Sequence, residues 1–101
     1  TLTLTMHWQS NAMFDRNWTI FAHVVDEDGK IIAQQDQLPP FPTTTWIPNE
    51  YISDTRYIML KPDKLPGGNH TIHVGLYDAD TFLRLPLVNG DDTFILSMPS
   101  K

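Results

Sequence analysis

Three acidic residues, Asp36, Glu50 and Asp54, lie in or beside segments with strand character, and they are the candidates for acid–base chemistry. Glycoside hydrolysis needs two carboxyl groups facing each other a few ångströms apart. The spacing of these three residues does not show whether a fold brings them together. No G-x-S-x-G motif marks a nucleophile. His23 lies within an apolar segment, where a hydrogen-bonded structural histidine is the commoner role. We therefore expect that this chain is not an enzyme.

The candidates for metal binding fail on spacing. Residues 26–29 (DEDG) resemble part of a calcium loop, but an EF-hand in that register needs acids at two positions where this sequence has Val and Gln. His70 and His73 are three residues apart, which on a strand sends their rings to opposite faces. Asp78 and Asp80 suit turn capping better than calcium binding. We expect no metal ion and no cofactor.

Trp46 stands out among the aromatic residues because it lies in a proline-rich segment, PPFPTTTWIPNE (39–50), between two strand-like stretches. The prolines predict a stiff, extended loop. In one hypothesis the indole folds inward and caps an open end of the core, and this is the hypothesis we favour. In the other, the ring stays exposed as a stacking platform for sugar, with Asn49 and Glu50 as polar neighbours that bind hydroxyl groups.

Composition bounds the remaining possibilities. The 101 residues are enough for one domain with a single core. The chain has no cysteine, so it has neither a disulfide framework nor a thiolate nucleophile. A formal charge of -5 with only seven basic residues argues against a nucleic-acid partner. No apolar run approaches the roughly 20 residues of a membrane helix, so this segment is not expected to insert into a membrane.

The segments that must position these residues have the sequence patterns of short β-strands. Residues 1–9 alternate apolar and polar side chains, 18–25 are apolar on both faces like a central strand, and 26–30 form a hairpin turn at Asp28-Gly29. Further strands are predicted over 31–37, 51–60, 70–78, 83–88 and 93–98, with a loop over 61–68. Gly75 sits in a strand, where a missing side chain lets an aromatic ring or a backbone segment approach closely.

No segment has a convincing 3.6-residue apolar period. Seven short strands separated by turns predict an all-β fold, an immunoglobulin-like β-sandwich. The alternative is a jelly-roll sandwich like that of some carbohydrate-binding modules.

Three short motifs and an Arg-Leu pair follow one another along the chain. They match F-x-H-x-x-D-x-D-G, P-T-x-x-W-x-P-G-E, G-x-Y-x-L-x-V-G-L-Y-D and R-L. The matching positions are Phe21, His23, Asp26, Asp28 and Gly29; Pro42, Thr43, Trp46, Pro48 and Glu50; Gly68, Ile72, Val74, Gly75, Leu76, Tyr77 and Asp78; and Arg84 and Leu85. Over roughly residues 2–86 the chain resembles the small C-terminal β-domain of bacterial membrane glycosyltransferase-like proteins of the dolichyl-phosphate-mannose–protein mannosyltransferase type.

Three positions depart from that pattern. Asn49 replaces the glycine before Glu50, His70 replaces the usual tyrosine, and Phe82 stands where a turn glycine is common. Because Asn tolerates a left-handed backbone, we expect the turn at Asn49 to be kept.

The resemblance implies a non-catalytic accessory or interaction domain on the extracytoplasmic face of a bacterial membrane. Residues 1–101 would then be a single domain excised from a longer, membrane-anchored protein. Since the family's catalytic residues lie in its membrane part, none carries over. The implied partners are a glycan or the membrane part of the parent chain. The alternative is a carbohydrate-binding module that uses Trp46, Asn49 and Glu50.

Overall fold

The computed structural model describes residues 2–60, 70–88 and 90–97. These residues form six strands and one turn of 3-10 helix: β1 (Leu2–Gln9), β2 (Thr19–Val25), β3 (Ile31–Gln34), the 3-10 turn (Thr43–Thr45), β4 (Tyr51–Ile58), β5 (Thr71–Tyr77) and β6 (Phe94–Ser97). The prediction of an all-β sandwich is confirmed, with six strands in the described ranges in place of the predicted seven. The predicted loop over 61–68, with Gly68, lies outside the described residues.

The strands form two antiparallel sheets. β1 pairs with β4 in a two-stranded sheet, and the other four strands pair in the order β3-β2-β5-β6. The core lies between the sheets and is built from alternate residues of the strands, because successive side chains point to opposite faces. Its buried apolar members are Leu4, Met6, Ile20, Ala22, Val24, Trp46, Ile58, Ile72, Val74 and Leu76.

Two strand predictions are confirmed in detail. In β1, Leu4 and Met6 are buried while the intervening Thr5 is exposed. β2 is central and apolar on both faces, since Val24 has no exposed surface and Phe21, on the opposite face, is also buried.

The hairpin after β2 turns where the sequence predicts it. Gly29 has a φ of 83°, a left-handed conformation that glycine adopts without a steric penalty. Asp26 supports the turn because its Oδ1 accepts hydrogen bonds from the backbone N–H groups of Asp28 and Lys30. The charged residues 26–30 therefore form a hairpin turn.

Two segments depart from the prediction. The expected strand over 83–88 is reduced to a single bridge between Arg84 and Tyr77. The next residues include Pro86, which cannot donate a ladder hydrogen bond. The loop before Trp46 is not extended throughout, because residues 43–45 form the 3-10 turn. Pro42 precedes the turn, and its carbonyl accepts hydrogen bonds from the backbone N–H and the hydroxyl of Thr45.

A buried ion pair joins the two sheets. Arg56 of β4 is fully buried and binds Asp54, two residues earlier on the same face, with a shortest N–O distance of 2.7 Å. The rest of its guanidinium reaches across to the four-stranded sheet. Its Nη1 donates to the carbonyls of Ile20 and Gln35 at 3.0 Å, and its Nη2 donates to that of Gln37 at 3.2 Å. Every group of the pair thus has hydrogen-bonding partners, which is the condition for burying charge at tolerable cost.

Candidate functional site

The three acids proposed for acid–base chemistry do not come together. Asp54 is buried between the sheets and is bound to Arg56. Asp36 bonds His23 and Tyr77, while Glu50 is an exposed residue at the end of the proline-rich loop. They do not converge, because the side chain of Asp54 points into the sandwich. No facing carboxylate pair of the glycosidase type arises from these residues.

A polar and aromatic cluster covers the outer face of the four-stranded sheet, and we call it the outer-face cluster: Phe21, His23, Asp36, Tyr77 and Arg84. Asp36 accepts from the Tyr77 hydroxyl at 3.3 Å, and its other oxygen lies 3.1 Å from His23 Nε2. The Arg84 guanidinium lies over the Phe21 ring, 4.6 Å from its centroid. These contacts engage each member with another, so the cluster reads as a network that holds its own side chains in place.

Gly75 makes room for this cluster. A Cβ atom placed there would lie 2.6 Å from the Phe21 ring and 2.6 Å from the backbone oxygen of Asp92. The prediction that Gly75 permits close approach of an aromatic ring is confirmed, and a backbone segment approaches there as well.

The pKa shifts at this face favour neutral groups. Burial, and then the charge and hydrogen bond of Asp36, raise the pKa of Tyr77, so its hydroxyl stays protonated and donates to the carboxylate. Burial, and then the charges of His23 and Arg84, lower the pKa of His73, the residue paired with His23 across β2 and β5. A tyrosine with a raised pKa is not a nucleophile at neutral pH. Within the cluster, the Tyr77 hydroxyl therefore acts as a hydrogen-bond donor to Asp36.

Asp78 caps the turn after β5. It accepts hydrogen bonds from the backbone N–H of Asp80, the hydroxyl of Thr81 and the guanidinium of Arg16 at 2.7 Å. These bonds, with the Asp80 N–H as the largest cause, lower the pKa of Asp78. The turn-capping role predicted for Asp78 is confirmed. Nowhere in the described ranges do three or more His, Cys, Asp or Glu side chains group closely enough to hold a metal ion.

Trp46 is part of the core. Only 4% of its surface is exposed, its Nε1 donates to the Phe41 carbonyl at 2.8 Å, and its ring meets the edge of Phe14 at a centroid distance of 5.9 Å. The predicted inward cap is confirmed. The alternative, an exposed ring that stacks on sugar, does not agree with this burial, although Asn49 and Glu50 are exposed beside it.

Thr43 fixes the loop that carries Trp46. Its side chain is fully buried; the hydroxyl donates to the Arg16 carbonyl at 2.7 Å and accepts from the Trp18 N–H at 3.0 Å. The loop is thus tied to the segment before β2 by two hydrogen bonds from one hydroxyl. This role of a threonine within a TTT run is not visible in the sequence.

An apolar cleft opens between the sheets beside β1, and we call it the β1 cleft. It has a volume of about 740 Å³. One wall carries Leu4, Met6 and Trp8 of β1, and the other carries Leu76 of β5 with Phe94 and Leu96 of β6. Its volume lies within the range of about 300–1,000 Å³ typical of ligand pockets. The sequence shows the alternation of each wall, but it does not show that the walls stand apart.

Among the non-glycine residues that the structure describes, two have positive φ: Asn49 at 72° and Phe82 at 61°. Both stand where the resembled motif pattern has glycine. The predicted left-handed turn at Asn49 is confirmed, and Phe82 adopts the same backbone region at a higher steric cost because its side chain is bulky.

Within the described ranges, no helix has the length and hydrophobicity needed to cross a membrane. In comparisons with known proteins, no family model, no curated protein and no solved structure matches the chain.

Proposed function

We propose that this chain is a non-catalytic accessory or interaction domain, attached to a membrane glycosyltransferase-like protein on the extracytoplasmic face of a bacterial membrane. Its immunoglobulin-like sandwich serves as a rigid frame, and its task is to bind a protein partner, first of all the membrane region of its own parent chain.

The observation that carries this proposal is the β1 cleft. It is an apolar space of about 740 Å³ whose described lining includes no Asp, Glu, Lys or Arg side chain. An apolar cleft binds by burying surface, at about 25 cal/mol for each square ångström removed from water. It lacks the charged groups that would stabilise a developing charge in a transition state. Binding is the chemistry that it supports.

The charged side chains also favour a binding role, since several of them are bound to other groups of the fold. Arg56 and Asp54 join the sheets, Asp36 holds His23 and Tyr77, and the Asp78 carboxylate caps a turn. A catalytic constellation needs a base or acid whose proton can move to a substrate. These groups are engaged with one another, which favours a binding domain over an enzyme.

The membrane setting is supported by the ordered motifs in the sequence. Asn49 and Phe82 depart from the resembled pattern, yet they keep the left-handed backbone that its glycines would adopt. The motif residues Phe21, His23, Tyr77 and Arg84 also gather in one place, the outer-face cluster.

The experiment adds the purified 101-residue domain back to the detergent-solubilised membrane region of its parent protein. The two should associate, and Phe94→Ser should weaken the association at least tenfold because Phe94 lines the β1 cleft. Ile95→Ser is the matched control, because Ile95 is the next residue of β6, is 57% exposed, and does not line the cleft. It should change the affinity less than twofold.

Two results would contradict the proposal. One is the absence of association at protein concentrations of tens of micromolar. The other is turnover of glycoside or lipid-linked sugar substrates by the domain alone. Saturable binding of soluble oligosaccharides, unaffected by Phe94→Ser, would instead favour the carbohydrate-binding alternative.

A further inference from the structure

One edge of β1 pairs with β4, and its other edge runs beside the cleft. β1 pairs with β4 over all eight of its residues, from Leu2↔Ile58 to Gln9↔Tyr51. Among the described residues, no strand pairs with its other edge. In an antiparallel pair, every second residue of β1 directs its N–H and C=O away from β4. An edge of this kind is a template for one more strand.

The space next to that edge is suited to a single strand. Arg56 of β4 reaches the carbonyls of Ile20 and Gln37, so β4 lies over the β2–β3 side of the larger sheet. β1 faces β5 and β6 across the cleft, as Leu76 and Phe94 in its far wall indicate. The four-stranded sheet therefore extends past β1, and a strand added to β1 would be covered by its inner face.

A single strand suits this space better than a second copy of the chain. A copy paired through β1 would bring its own four-stranded sheet against the β6 side of the first sheet, whereas one strand carries no second sheet.

Two buried polar atoms in the cleft lining have no hydrogen-bond partner among the described residues: Trp8 Nε1 and Ser10 Oγ. Ser10 is only 7% exposed. A buried donor left without a partner destabilises the fold. The carbonyl groups of an extended backbone are acceptors of the kind these atoms lack. A purely apolar molecule would fill the cleft but would satisfy neither these atoms nor the edge of β1.

We propose that the β1 cleft accepts an extended segment of another polypeptide, which adds to the edge of β1 and places its alternate, apolar side chains in the cleft. This inference rests on the proposed function as an interaction domain, and it names the kind of partner. The two-stranded sheet becomes three-stranded, and the added strand covers the inner faces of Phe94, which is 47% exposed, and of the partly buried Leu96. This mode, β-strand addition, takes affinity from backbone hydrogen bonds and specificity from alternate side-chain pockets.

The test uses a peptide with blocked ends, Lys-Val-Thr-Val-Thr-Val-Thr-Val-Lys, titrated into the isotopically labelled domain. We expect saturable binding, with resonance shifts confined to β1, β6 and the residues between Leu85 and Val88. The indole N–H of Trp8 should shift downfield as it gains an acceptor. The indole N–H of Trp46 should stay unchanged, because it is already bonded to Phe41.

Two backbone-methylated peptides separate strand pairing from simple apolar binding. The N–H groups of the four valines point to one edge of the extended peptide and those of the threonines point to the other. N-methylation at one set should weaken binding at least tenfold, and methylation at the other set should leave it within about twofold. A same-composition peptide with contiguous valines should bind at least tenfold more weakly.

The outcomes separate this inference from the broader proposal. Equal affinity for both methylated peptides, or absence of peptide binding, would overturn strand addition even if the domain still binds its membrane region. A fatty acid that shifts the Trp8 indole and is not displaced by the peptide would assign the cleft to a lipid. Concentration-dependent dimerisation with protection of β1 would assign it to a second copy.

Discussion

Replacing Arg56 by methionine tests how the sheets are joined. The change removes a buried cation that donates to both oxygens of Asp54 and to three backbone carbonyls of the opposite sheet. Asp54 is left fully buried without its counter-charge, and breaking a buried pair on one side costs about 3–5 kcal/mol. Domains of this size have a total stability of about 5–15 kcal/mol, so the loss is a large share.

Urea unfolding followed by fluorescence measures the effect. A loss of about 4 kcal/mol with an m-value of about 1.5 kcal/mol/M lowers the midpoint by roughly 2.7 M. The double variant Asp54→Leu, Arg56→Met should be more stable than Arg56→Met alone, because it removes the buried carboxylate that has lost its counter-charge and fills the space with apolar atoms. If Arg56→Met lowers the free energy of unfolding by less than about 1 kcal/mol, which is the value of an exposed ion pair, the buried pair does not hold the two sheets together as argued.

Four further predictions concern single residues. Trp46→Ala should cost about 3–5 kcal/mol in urea unfolding because a buried indole leaves a cavity, and near-wild-type stability would contradict the capping role. Gly75→Ala should lower the free energy of unfolding by about 1–3 kcal/mol, because its Cβ would clash with the Phe21 ring and a backbone oxygen. An unchanged urea midpoint would show that the sheet adjusts to the added Cβ without cost. Phe82→Gly should be more stable than Phe82→Ala by about 1–2 kcal/mol, since only glycine adopts positive φ without steric cost, and the reverse order would contradict the turn geometry. The pKa of Asp78 is lower in the folded chain than in the unfolded one, so its contribution to stability is present above about pH 4 and is lost as the pH falls further. Asp78→Asn should therefore reduce the loss of stability below about pH 4, and an unchanged loss would contradict the capping role.

Much of the strand pattern could be predicted from the sequence because successive side chains of a strand point to opposite faces. The alternation of β1 and the two-faced apolar run of β2 are local properties, and so is the turn at Gly29. The inward position of Trp46 followed from the stiffness of its loop and the gain from burying an indole.

The parts that escaped prediction depend on contacts between distant residues. Arg56 ends a run of four consecutive polar residues, 53–56 (SDTR), which gives no sign of burial. Only its hydrogen bonds to the carbonyls of Ile20, Gln35 and Gln37 show why it is buried. The alternation in β1 likewise gives a buried face without saying how far the opposite wall lies from it.

The central claim is that the edge of β1 directed away from β4 takes up one extended strand, and amide hydrogen exchange along β1 tests it most directly. In the domain alone, the amides of Leu2–Gln9 that bond to β4 should exchange slowly, and the intervening ones should exchange at least a hundredfold faster. Adding the Val-Thr peptide should slow the fast set and leave the slow set unchanged. Uniform protection along β1 before any peptide is added, or a fast set that the peptide leaves unprotected at saturation, would contradict the claim.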